Sequence, residues 1–126
     1  MLGVARLDHG NRAIEDADLV ARIAREQVPL TMCPLSNLRL RVVDDLVHHP
    51  LRRMMDKGVM ASVNSDDPAY FGGYVNQNYL VISRALDLGR EEVAAIVRNG
   101  IKASLMTASE KQQLFADVDR VLAETT

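Results

Sequence analysis

Apolar residues in this chain fall into two kinds of run: short blocks bounded by glycine, proline or polar turns, and longer stretches with helical periodicity. Gly3 to Leu7, Val28 to Cys33 and Val59 to Val63 are the short blocks, and each reads as a strand. The first stops at Asp8-His9-Gly10. The second is bounded by Pro29 and Pro34 and runs into Leu35-Ser36-Asn37. The third follows Gly58 and runs into Asn64-Ser65-Asp66-Asp67-Pro68. Asp16 is placed to cap a helix with apolar positions at Leu19, Val20, Ile23 and Ala24. Pro50 suits the first turn of a second helix carrying Leu51, Met54 and Met55, and Gly58 suits its stop. Strand starts are therefore separated by one strand-plus-helix unit, which predicts an α/β fold with a parallel sheet. Beyond the third strand the pattern is helical to the end. It predicts a helix from Asn76 to Leu88, one from Glu91 to Asn99 stopped by Gly100, and one opened by a Ser109/Gln112 capping box before Leu114 and Phe115.

The polar residues are placed with a regularity of their own. His9, the Ser36-Asn37 pair and Asp66-Asp67 each lie just past the C-terminal end of a predicted strand, the edge where parallel α/β sheets build their sites. Asp66 and Asp67 are the strongest pointer to chemistry, because paired carboxylates resist burial unless a proton, cation or donor compensates them. They suit a metal ligand, a general base or a substrate acceptor; the alternative is a capping pair before Pro68. Gly10 lets the backbone turn so that His9 can reach across a pocket as proton carrier or metal neighbour; the alternative is a loop-bonded histidine. His48-His49-Pro50 reads as a helix entrance, since adjacent histidines chelate poorly compared with spaced ones. Cys33-Pro34 reverses the Pro-Cys element of cytidine-deaminase zinc sites and lacks its companions. Gly72-Gly73 reads as a turn.

Composition narrows the class. With 126 residues, 48% hydrophobic and 25% charged, the chain fits one globular domain with no linker or second domain. A formal charge of -2 argues against a nucleic-acid binder. One cysteine excludes an internal disulfide and a Cys-rich zinc site. No apolar run approaches the roughly 20 residues of a membrane span, and the N-terminus lacks a signal pattern, so the expected location is cytoplasmic.

Several ordered motifs resemble the adenosine/adenine deaminase family of metal-dependent hydrolases. They are Arg6-Leu7-Asp8-His9-Gly10, Leu30-Thr31-Met32-Cys33-Pro34-Leu35-Ser36-Asn37 and Val63-Asn64-Ser65-Asp66-Asp67-Pro68, with Asn99 to Ser104 and Glu110-Lys111 similar to the family's closing helices. The segment Ala69 to Tyr74 looks more like the adenine-deaminase branch than the adenosine-deaminase branch. This resemblance implies the C-terminal part of a (β/α)8 TIM barrel, its sixth to eighth units plus terminal helices, extending over residues 1–126. It also implies hydrolytic deamination of adenine or adenosine in purine salvage. Asp66 would be a carboxylate ligand of a catalytic zinc, Asp67 would hydrogen-bond the purine, and His9 would orient the water that attacks C6.

The family's zinc takes further histidines from a His-x-His and a later strand, and a nearby glutamate protonates the ring. The histidines here are His9, His48 and His49, and none matches those positions. A whole barrel is about 250 residues. The expectation is that this chain alone is inactive, binds zinc weakly, and self-associates or needs the missing N-terminal half. The rival expectation is a non-catalytic truncated homologue acting as an interaction module.

Overall fold

Three parallel strands set the architecture of the computed structural model, which describes residues 3–124. They are β1 (Leu7–Asp8), β2 (Leu30–Met32) and β3 (Ala61–Val63), side by side in chain order. Leu7 pairs with Leu30, and Leu30 with Ala61. Each strand is shorter than its apolar block. The first block moves most: Gly3 turns at φ 61 and pairing begins only at Leu7, whose N–H donates to Pro29 O at 2.9 Å. Met1 and Leu2, which open the chain, lie outside the described residues.

α1 (Ala17–Glu26) starts as the sequence predicts, with the Asp16 carboxylate accepting from Asp18 N–H and Leu19 N–H at 3.1 and 3.0 Å. It ends on Gln27 at φ 52, whose side chain donates to Ala24 O and Gly58 O. α3 (Leu51–Asp56) begins after Pro50 and stops at Lys57, with Gly58 in the left-handed region at φ 82. Two short helices stand where the sequence pattern predicts none: α2 (Pro34–Arg39) after β2, and α4 (Pro68–Phe71) after β3, the latter opened by the capping alternative at Asp67. A 3-10 turn (Asn11–Glu15) follows β1. In all three cases the chain turns into helix almost at the strand end, which holds the polar residues there on short, fixed connections.

The C-terminal helices are α5 (Val75–Ala85), α6 (Arg90–Ala103) and α7 (Ala108–Glu124). α6 corrects the expectation of a stop at Asn99, because it runs through Gly100 to Ala103. Gly100 lies against β3, where a Cβ would meet the Ser62 Cβ at 3.6 Å, and Asn99 Nδ2 donates to Ala61 O at 2.9 Å. The α7 cap is also displaced from the Ser109/Gln112 pair. Glu110 N–H donates to Thr107 Oγ1 at 3.3 Å and Thr107 N–H donates to Glu110 Oε2 at 2.8 Å, so the capping box is Thr107/Glu110.

Leu30, Met32, Leu51, Met54, Ile82 and Ile96 are fully buried and join β2 to the helices packed on β3. Arg52 fastens α3 to the turn before α6, donating to Leu86 O, Asp87 O and Glu92. Consecutive parallel strands with helical crossovers are the arrangement of a (β/α)8 barrel segment. Among the described residues no helix is long and apolar enough to cross a membrane.

Candidate active site

The C-terminal strand ends open into a cleft of about 470 Å³. His9 enters it directly after β1. Its N–H donates to Thr31 O at 2.9 Å, and His9 and Gly10 turn the chain sharply with φ of 63 and 79. Gly10 suits the turn by its φ, and a Cβ there would lie 3.0 Å from Leu30 Cδ2, so that side chain would have to shift slightly. Asp66 faces His9 from the β3 side, also in the left-handed region at φ 59, which Asp tolerates better than bulkier residues. The His9 Nε2 and Asp66 Oδ2 atoms are 3.8 Å apart. The same Oδ2 accepts from Ser36 Oγ at 2.6 Å, a charge-assisted bond that fixes the carboxylate from α2. Ser36 itself is fully buried.

Asp67 diverges from its neighbour. It is the N-cap of α4, where its Oδ1 accepts from Tyr70 N–H at 3.2 Å, and it is not among the residues lining the cleft. Asn37 diverges likewise from Ser36. Its Oδ1 accepts from Asn11 Nδ2 at 3.0 Å and lies 3.0 Å from His49 Nε2, within a buried network. Leu51 N–H donates to His49 Nδ1 at 3.2 Å, which assigns the ring proton to Nε2 and makes that nitrogen the donor to Asn37. Burial, with the Arg53 charge adding, pushes the His49 imidazole down to about 4. His48 is exposed and paired with Asp45 at 2.7 Å. The adjacent histidines therefore serve different surroundings, as a helix entrance suggests.

Cys33, set aside in the sequence as an incomplete Pro-Cys match, is a cleft residue. It directly follows β2 on the edge that carries His9 and Asp66, and one ligand atom from each of these three lies within 4.8 Å of the others. That shared strand-end position was the available signal. Burial, then the nearby Asp66 charge, pushes the thiol up to about 11, so it is neutral at ordinary pH. An imidazole nitrogen, a carboxylate oxygen and a sulfur are donors of the kind zinc accepts, although a closed site has four ligands. The arrangement fits a partial zinc site and a proton-transferring pair at a water-accessible strand end.

Comparison with known proteins bears on this geometry. The family model described as adenosine deaminase matches residues 1–121. The adenine deaminase of Rhodopseudomonas palustris is 50% identical over 123 residues, covering 98% of this chain and 36% of its own length. That of Paraburkholderia xenovorans is 54% identical over 119 residues, covering 94% and 34%. The chain thus spans about a third of the length of the curated relatives it matches. The solved adenine deaminase from Arthrobacter aurescens superposes with a TM-score of 0.94 at 47% identity, over 97% of this chain and 37% of that one. An amidohydrolase from Burkholderia ambifaria, solved with bound zinc, shares the fold with a TM-score of 0.83 at 23% identity, over 97% and 35% of the two chains.

Proposed function

This chain belongs to the adenosine deaminase family, and from that premise we propose that it is the C-terminal part of a zinc-dependent enzyme that hydrolytically deaminates a purine, with adenine as the substrate. The observation that carries the reading is the facing of His9 and Asp66 across the strand-end cleft, 3.8 Å apart, with Ser36 holding the carboxylate. The adenine-deaminase relatives at about half identity favour the free base over its nucleoside.

Asp66 is the residue of this chain that would hold the zinc, and His9 stands beside it. When bound, zinc supplies Lewis acidity that makes water a competent nucleophile near neutral pH. His9 orients the attacking water across the cleft and stabilises charge as it develops. In the overall change the water oxygen becomes the C6 oxygen, the C6–N bond breaks and the amino group leaves as ammonia. Asp67 would accept a hydrogen bond from the purine through Oδ2, since its Oδ1 caps α4 and the residue stands outside the cleft lining of this chain. The role belongs to purine salvage, in the cytoplasm.

Catalysis needs donors beyond His9 and Asp66, so the chain alone is expected to release no ammonia from adenine. The test mixes it with the complementary N-terminal portion of the Rhodopseudomonas palustris adenine deaminase and follows ammonia release from adenine and from adenosine. Turnover of adenine that Asp66→Asn abolishes is the expected result. A stable mixed complex that turns over neither purine would sink the proposal.

A further inference from the structure

Cys33 has no part in the deamination proposed above, yet it lies in the same cleft as His9 and Asp66. We infer that the Cys33 sulfur, the His9 imidazole and an Asp66 carboxylate oxygen together bind a thiophilic divalent cation, so that this chain captures such an ion through sulfur. The inference rests on the reading of Asp66 as a metal ligand and adds Cys33 and, in this chain alone, His9 to it as donors.

Three observations lead there. First, the donors come from the ends of three adjacent strands, each on a short connection, and all lie within 4.8 Å of one another. Ligands around a tetrahedral zinc-sized ion sit roughly 3.5 Å apart, so closure requires about an ångström of side-chain adjustment. Second, Cys33 is 4% exposed, and its hydrogen bond to Thr31 O is long at 3.8 Å. The sulfur is shielded from bulk water and gives up little by exchanging that contact. Third, the donor chemistry is selective. A thiolate beside an imidazole and one carboxylate favours cobalt, zinc or cadmium over magnesium or calcium, which prefer oxygen. On binding, the S–H bond gives its proton to solvent and a sulfur–metal bond forms; nothing is oxidised or reduced.

The sequence has one cysteine, so any sulfur signature belongs to Cys33. The experiment titrates the 126-residue chain with cobalt(II), reads the near-ultraviolet sulfur-to-cobalt charge-transfer band, and challenges the bound ion with cadmium and with magnesium. Expected are a band saturating at one ion per chain, displacement by cadmium but not magnesium, and affinity weakened at least about tenfold by Asp66→Asn. Cys33→Ser should abolish the band, with circular dichroism checking that the fold is kept. If that variant does not fold, the wild-type band and its response to Asp66→Asn decide the matter. No band at saturating cobalt, or a band unchanged in both Asp66→Asn and His9→Ala, would overturn the site. Cobalt bound without the band but lost in Asp66→Asn removes Cys33 while leaving the deaminase reading intact. Failure of purine turnover in trans, with the band present, does the reverse.

Discussion

His9 and Asp66 both hold left-handed backbone conformations. The Asp66 carboxylate is held by Ser36, so Ser36→Ala should free it to rotate and weaken divalent-metal binding by about tenfold, measured by the same cobalt titration. His49 gives a residue-scale prediction about pH. Its imidazole is held at about 4 in the folded chain, against 6.5 in the open one. Between those values the unfolded chain binds the extra proton, so stability is whole above pH 6.5 and declines as pH falls toward 4. The loss approaches about 3 kcal/mol. Urea midpoints across that range check it, and a pH-independent midpoint would contradict the buried neutral assignment. His9 and Asp66 were legible in the sequence because strand ends are visible as the limits of apolar blocks. Ser36's partner, Cys33's proximity and the split between Asp66 and Asp67 were not, because each depends on which direction a turn takes after the strand.

Helices are where periodicity served best. α1 and α5 appear at their apolar positions because their lengths give the pattern room to repeat, α5 ending at Ala85 short of the expected Leu88, while the 6-residue α3 was marked by Pro50 and Gly58 at its ends. α2 and α4, of 6 and 4 residues, are too short to carry a period, and Pro34 and Pro68 at their starts read equally well as turn residues. Gly100 and Ser109 misled for a related reason: each fits a terminator or cap rule locally, while contact with β3 and the Thr107/Glu110 pair decided the outcome. Four substitutions separate these readings. Gly100→Ala should stabilise by up to about 1 kcal/mol, because helix propensity gains and the new Cβ only touches Ser62, whereas Gly100→Leu should destabilise by crowding β3. Thr107→Ala should cost about 1 kcal/mol and Ser109→Ala much less. Thermal unfolding of the four variants tests both claims.

Across the whole molecule, β1 and β3 each pair with β2 alone among the described strands, so each presents an unpaired edge. Val4, Leu7 and Leu19 stand exposed beside β1, where an apolar recess of about 490 Å³ opens. Surfaces of this kind find partners. The chain is therefore expected to associate with itself as concentration rises, and sedimentation velocity over a concentration series would show it; a monomer unaffected by concentration would not fit. The sheet has another property. Its strands neighbour one another in the order they are synthesised, with no later strand inserted between earlier ones. A sheet of this order has no knot in it, so pieces translated separately should be able to come together, and to part again, without any segment threading through another.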